Sequence, residues 1–487
     1  MPCVTRSFGL TSFKTMATAV GRCTPLLGLL GWACQDRGVQ TGAPDLPPKV
    51  ILIIGDGMDD QQITIGRNYL VGQAGRLVLD TLPYRGAAQA QTVDENDPSQ
   101  PVYVADSANT ATAIATGVVT SRGRIATTAG TDRDLPTILE LAEQAGLATG
   151  IVTTSDVTDA TPASFVAHVN QRYCQGPADM VRHLETLNLS IDCSSDYKAN
   201  GGRGSIAEQI AASNVDIVLG GGMLSFDQAV EGDATRTVLD AAAANGYRLI
   251  QTRASLDALP ADRKILGLFS PSTMPVKLRA EGGARLQRIE RIDDRIVLPE
   301  AVGCEPNPAF EGMPSLEQMT QVALDRLDAE AGFVLVVESA SIDKQSHLRR
   351  PCGHIGELDQ LEQALRVALA YAANHPETLI LVTADHTHAA QIVPETSSFQ
   401  ALNFASPGYF TRLRTPEGGI MGINYATNDS PIQEEHTGAQ VPVFASGPNL
   451  QRLPSFMHQA DLFTIMLRHL ELDAAGDFRL PESSQSR

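Results

Sequence analysis

The chain has 487 residues, 43% of them hydrophobic, enough to bury a large core in one elaborate domain or in two or three ordinary ones. Its 56 acidic against 37 basic residues give a formal charge of -19, which argues against nucleic-acid binding or attachment to an anionic membrane through a basic face.

The first 34 residues carry only Arg6, Lys14 and Arg22 as charges, and their apolar run CTPLLGLLGWAC is twelve residues long and contains Pro25, too short to span a bilayer. A basic stretch followed by a short apolar one is the layout of a secretory signal, with Met16 available as an internal start. Residues 1–34 are therefore expected to direct export, to the periplasm, and 35–47 to form a linker. Cys34 closes the run where a lipoprotein cysteine would stand, although Gly31 occupies the place usually held by leucine. A lipid on Cys34 is the one expected route to a membrane.

Three of the seven cysteines lie in this segment, and the body keeps Cys174, Cys193, Cys304 and Cys352. An even number in an exported chain reads as two disulfides. Of the three possible pairings, sequence distance favours Cys174 with Cys193 and Cys304 with Cys352.

From residue 48 onward, apolar runs recur that suit strands buried on both faces: KVILIIGDGM, ATGIVTTSD, VDIVLGGG, FVLVVES, TLILVTADH and VPVFASG. Helical patterns lie between several of them, at Leu135–Gly146 and Ile355–His375. Alternation of this kind predicts an α/β fold: three layers, α/β/α, with a large, mainly parallel central sheet. Residues 225–330 show the weakest pattern and are expected to hold insertions at one rim of the sheet. The catalytic domain is expected to be single and to span 48–472, with 473–487 as a tail.

Three strand runs end in acids, at Asp56, Glu338 and Asp385, the last followed by His386. Ligand crevices of open parallel sheets lie at the carboxyl ends of the strands, so these carboxylates meet at one rim unless each merely caps a following helix. Crowded carboxylates repel, and a cation relieves them. Imidazoles mixed among them point to zinc, and all-oxygen positions to magnesium. In ESASIDKQSH, Asp343 and His347 stand four apart, one helical turn, and reach the same ion. The segments TADHTH and EEHTGAQ, with His436 in the latter, add imidazoles enough for two zinc sites.

The stretch VYVADSANTATAIATG places Ser107 after Asp106 at the head of a run of small residues, which suits a helix start packed beneath the rim, where free N–H groups and the helix dipole favour phosphate. Taken alone, Ser107 reads as an ordinary serine N-cap. No G-x-S-x-G elbow surrounds it, so its activation would have to come from a cation.

GDGM, DSANTATAIATG, DATPASFVAHVNQRYC, ESASIDKQSH, PCGHIGE, TADHTHAAQIV and EEHTGAQ together resemble, in order, the motifs of the bacterial periplasmic alkaline phosphatase family. The resemblance covers nearly all of the chain after the leader. It implies a homodimer of single α/β domains, each hydrolysing phosphate monoesters through a phosphoserine, with two zinc ions and one magnesium. It implies Asp343, His347 and His436 as ligands of the first zinc, and Asp56, Asp385 and His386 of the second. Magnesium would take Asp56, Thr161 and Glu338. Ser107 would be the nucleophile and Arg172 the phosphate clamp, with Asp159 and Lys344 orienting water and phosphate, and His388 supporting Asp343 although its spacing also suits a ligand. Aspartate and lysine at 159 and 344 favour magnesium in the third site. His168 and His354 read as structural.

Three residues depart from the family pattern. Asp59 replaces a glycine after GDGM and either adds charge near the magnesium or faces solvent; Asn109 replaces a small residue; Ser346 replaces an acid. A sulfatase would need C-x-P-x-R, and CEPNP at 304–308 fails at its last position. Phosphodiesterase sites usually lack the arginine and magnesium set, and a non-catalytic phosphate- or metal-binding protein would have no use for Ser107.

Overall fold

Lys49–Gly55 (β1) is a strand because Val50 to Ile54 are β-branched residues and leucine without a break, and every residue of it is buried, as a strand covered on both faces must be. The computed structural model describes residues 47–472 except 186–188, 260–263, 285–286, 289, 293–294, 329–331 and 396–405. The expected export segment with Trp32 and Cys34, all but the last residue of the linker, and the tail 473–487 lie outside the described residues. None of the described helices is long and apolar enough to cross a membrane.

The other strands of the central sheet are Tyr84–Gln89 (β2), Ala148–Asp156 (β3), Ile217–Gly221 (β4), Tyr247–Ile250 (β5), Lys264–Leu268 (β6), Phe333–Ser339 (β7), Thr378–Ala384 (β8), Val441–Ser446 (β9) and Phe456–His458 (β10). They lie in the order β5-β6-β4-β3-β7-β1-β8-β9-β2-β10. All run parallel except β9, which opposes both β8 and β2. All six expected strand runs are in this sheet. The register sets Gly55 of β1 beside Ser339 of β7 and Ala384 of β8, so three strand ends finish level. Asp56, Glu338 and Asp385 are carried to one rim by that alignment.

Helices cover the sheet. Asp60–Leu70 (α1) and Leu316–Leu327 each pack on Pro351–Asn374, and Ser107–Thr116 (α2) packs on Ala460–His469. The 351–374 helix buries Ile355, Leu358, Leu361, Leu365 and Ala368, a stripe at helical spacing. The helix expected at Leu135–Gly146 covers Ile138–Gln144, started by a Thr137–Glu140 capping box.

Residues 225–330 do more than decorate a rim. β5 and β6 fall inside this span and build one edge of the central sheet. Their brevity explains the weak pattern: YRLI and KILGL are too short for a long apolar run. A second sheet, built mainly from Tyr409–Arg414 and Ile420–Tyr425 and carrying Ala390–Ile392, was not signalled by any of the apolar runs.

Both disulfides have the local pairing, Cys174 with Cys193 and Cys304 with Cys352. The second ties the short strand Cys304–Pro306 to the first turn of the 351–374 helix. In the loop-entropy account its 48-residue separation corresponds to about 4 kcal/mol. Replacing Cys304 and Cys352 together by serine is therefore expected to lower unfolding free energy by about that amount, read as a drop in Tm and denaturant midpoint.

Candidate active site

The head of α2 shows what the run of alanine and threonine is for. All ten residues from Ser107 to Thr116 are buried. The helix stops at Gly117, whose φ of 74° is left-handed and whose added Cβ would meet Phe463 at 2.7 Å. Bulk is therefore excluded along the helix and at its end. The N-cap is Asp106, not Ser107: the Asp106 carboxylate accepts from Asn109 N at 3.1 Å, and Asn109 Oδ1 accepts from Asp106 N at 2.9 Å. The ordinary-cap reading of Ser107 is thereby removed. Ser107 is 2% exposed, and its hydroxyl lies 3.2 Å from His386 Nε2.

Asn109 thus has a structural account, since it closes the capping box and also donates to Gln91 O at 2.8 Å. Asn109→Ala is expected to cost about 1 kcal/mol of stability by opening that box, measurable by chemical denaturation.

One cluster gathers on the helix Ser341–His347. Asp343 and His347 share a face of it, and their ligand atoms, with those of His388 and His436, all lie within 4.8 Å of one another. Asp343 Oδ1 is 3.3 Å from His347 Nε2, 3.3 Å from His436 Nε2 and 3.1 Å from His388 Nε2. The tautomers separate the roles. His347 Nδ1 donates to Glu434 O and His436 Nδ1 donates to Ala105 O at 2.9 Å, so each turns the lone pair of Nε2 inward. In the neutral rings those two nitrogens, 3.0 Å apart, are both acceptors, an arrangement a cation satisfies. His388 is the reverse case: its Nδ1 accepts from Ala389 N at 2.7 Å, which puts the proton on Nε2, facing Asp343. At 3.1 Å that pair is close, yet it is too poorly aligned to count as a hydrogen bond, and both atoms stay without a conventional partner. Burial would raise the Asp343 pKa, but His347 and its fellow imidazoles outweigh burial and hold the carboxylate well below the ordinary range.

The second cluster is Asp56, Asp385 and His386. His386 Nε2 is 3.3 Å from Asp56 Oδ1 and 3.3 Å from Asp385 Oδ2. Asp385 spends its other oxygen on the backbone, accepting from Gly57 N at 2.9 Å and from His386 N at 2.8 Å. It holds two rim loops together rather than capping a helix. Asp56 Oδ1, Asp343 Oδ1, Asp385 Oδ2 and Thr161 Oγ1 are all buried without a hydrogen-bond partner. Native proteins rarely leave such atoms orphaned, and four around one rim fit metal binding. Burial, followed by Asp385 and Asp343, pushes the Asp56 pKa well up; burial pushes Asp385 to about 6 and Glu338 to about 7. Glu338 accepts from Thr153 Oγ1 and, at 3.1 Å, from Ser155 Oγ, both on β3 beside it.

Cationic side chains lie beside the clusters. Arg172 Nη2 donates to Asp159 Oδ1 at 3.0 Å and Nη1 to Asp106 Oδ2 at 3.4 Å. Lys344 donates to the other oxygen of Asp159. Burial would raise the Asp159 pKa, but Lys344 and Arg172 overcome it and keep the group ionised. Asp159 therefore sets the position of both cations.

Asp59 does not face solvent. It is 8% exposed, caps α1 by accepting from Gln61 N at 2.7 Å and Gln62 N at 3.1 Å, and accepts from His388 N at 3.1 Å, anchoring the segment that carries His386 and His388. Ser346 is buried and donates to Ile342 O at 2.8 Å within its own helix. His168 is structural, bridging Ala126 O at 3.1 Å and Glu140 at 3.0 Å, and His354 is fully buried, its pKa pushed down to about 4 by burial. Sequence reasoning missed Glu434, whose carbonyl orients His347 while its buried carboxylate holds Arg349 at 2.7 Å. Its place two residues before His436 was the available signal.

A serine at a helix start, two His/Asp clusters and a guanidinium at the carboxyl rim of an α/β sheet make a metal-binding hydrolase site. The family model "Alkaline phosphatase" matches residues 48–430. Alkaline phosphatase of Escherichia coli K12 is 39% identical over 451 residues, 90% of this chain and 89% of that one. Streptomycin-6-phosphate phosphatase of Streptomyces griseus is 42% identical over 452 residues, 90% and 94% of the two chains. Alkaline phosphatase of the Antarctic bacterium TAB5 shares the fold, with a TM-score of 0.63, 22% identity and coverage of 88% and 99%. The chain belongs to the alkaline phosphatase family and is a phosphoric monoester hydrolase.

Proposed function

We propose that the enzyme hydrolyses phosphate monoesters to alcohol and inorganic phosphate through a phosphoserine on Ser107. The observation that carries this is Ser107 Oγ at 3.2 Å from His386 Nε2, in the first turn of a ten-residue helix, with Arg172 tied to the cap of that same helix. The donor sets fit two zinc ions and one magnesium. Asp343, His347 and His436 would hold one zinc, and Asp56, Asp385 and His386 the other. Asp56, Thr161 and Glu338, all oxygen donors, would hold magnesium. When bound, the cations would favour the ionised serine and water and offset charge on entering and departing oxygens.

The chain's own groups do the rest. Ser107 gives its proton to solvent and attacks phosphorus in line as the P–O bond to the alcohol breaks and the departing oxygen takes up a proton; a water later attacks the same phosphorus, freeing phosphate and returning a proton to Ser107 Oγ. Arg172 presents a planar fork to two phosphate oxygens, with α2 N–H groups facing a third. Asp159 and Lys344 fix that arginine and the phosphate, and His388 steadies Asp343.

Residues 48–472 read as one catalytic domain, working as a homodimer, with 1–34 as an export segment delivering it to the periplasm and Cys34 as the lipid-anchor position if one is used. Two disulfides support an oxidising compartment.

Turnover of an aryl phosphate, a bis-aryl phosphate diester and an aryl sulfate tests the reading. Efficient release from the monoester alone is expected. Preference for the diester or the sulfate would replace it. Streptomycin 6-phosphate, named for the Streptomyces relative, belongs in the same panel.

A further inference from the structure

A groove of about 1070 Å3 lies against the helix Ser341–His347, beside the face that carries Asp343 and His347. Asp343 and His347 face the clusters; Ser341, Lys344 and Leu348, at spacings of three and four, face the groove. The helix is thus a wall shared by both. The groove's lip is apolar: Leu348 is 43% and Ile432 58% exposed, two of the few large hydrophobic side chains left in solvent among the described residues.

The charge of the groove runs against that of the chain. The protein carries -19 overall, yet the groove is lined by Arg279, Lys344, Arg349 and Arg350 against the single acid Glu300. Three of these cations are committed. Arg279 pairs with Glu305 at 2.9 Å, Lys344 with Asp159, and Arg349 with Glu434 at 2.7 Å while stacking 3.8 Å from the Tyr409 ring centroid. Arg350 is exposed, and no ion pair or hydrogen bond engages its guanidinium among the described residues.

In-line displacement places the departing oxygen opposite the entering one. Ser107 stands beside His386, which leaves the cluster of His347 and His436 as the departing side in the phosphomonoesterase reading. Leu348 follows His347 directly, and Ile432 belongs to the loop that leads into His436. Lys344, tied to Asp159 beside the clusters, also lines the groove, so groove and site share a side chain. We propose that this groove is a leaving-group subsite, selecting monoesters whose alcohol portion has a flat apolar body and a second anionic group; the inference rests on the phosphomonoesterase reading above.

The test compares adenosine 3′,5′-bisphosphate with p-nitrophenyl phosphate in the metal-loaded full-length enzyme, wild type, Arg350→Glu and Ile432→Asp. Loss of one charge-assisted contact and its replacement by repulsion should raise KM for the bisphosphate about five- to tenfold in Arg350→Glu, with kcat nearly unchanged. Ile432→Asp should act in the same direction. p-Nitrophenyl phosphate, which carries no second anionic group, should be turned over by all three proteins alike. Equal KM shifts for both substrates, or none for either, would overturn the subsite. Absence of p-nitrophenyl phosphate turnover in the wild type would instead overturn the phosphomonoesterase reading itself.

Discussion

Ser107→Ala should lower phosphomonoesterase turnover by about three orders of magnitude or more while leaving the fold and the metal content intact. The two halves of that expectation have separate causes. The cap of α2 is the Asp106 carboxylate with Asn109, and alanine has the highest helix propensity, so the helix does not depend on Ser107. The hydroxyl at 3.2 Å from His386 is the only nucleophile that the α2 start offers to the clusters. The variant is checked by steady-state kinetics on an aryl phosphate beside thermal unfolding of the same preparation. An unchanged Tm with lost turnover is expected. Retained turnover would leave the site without a covalent step and favour direct attack by water.

Removal of divalent metal should abolish activity and also destabilise the protein. Asp56, Asp343 and Asp385 lie within one buried rim, and without a cation they either repel or must take up protons. The raised positions of Asp56, Asp385 and Glu338 carry the sign. An acid whose folded pKa lies above its unfolded one favours folding at low pH and loses that contribution as pH rises through the folded value. For Asp385 the loss runs from the ordinary carboxylate range up to about 6, and for Glu338 up to about 7. Metal-free protein should therefore lose stability between mildly acidic and neutral pH, whereas loaded protein should not. Chelation followed by Tm at several pH values checks this. Zinc with magnesium should restore both Tm and turnover, and recovery with calcium alone would contradict the N/O donor assignment.

The sheet was legible where its strands are buried on both faces, because runs such as VILII and LVV have no other use in a globular chain. β5, β6 and β10 escaped notice because strands of three to five residues, at or next to an edge of the sheet, are too short to show such a run. β2, YRGAAQ, is only partly buried and carries a glycine against Tyr84. Asp56, Glu338, Asp385 and His386 were readable because they stand at the end of an apolar strand run, and Asp343 with His347 because they are one helical turn apart. Tautomers were not. The carbonyls that orient His347 and His436 come from Glu434 and Ala105, and nothing in the sequence says that those segments meet. The same holds for Asp59, whose neighbours in sequence suggest a solvent-facing turn until His388 N is seen resting on it.

The most direct measurement is acid-quenched turnover of a phosphate monoester followed by peptide mass analysis. A phosphoryl group should appear on the peptide containing Ser107 in the wild type, and be absent from Ser107→Ala. Rapid turnover without any phosphorylated peptide, or with the phosphoryl group on a residue other than Ser107, would contradict the account.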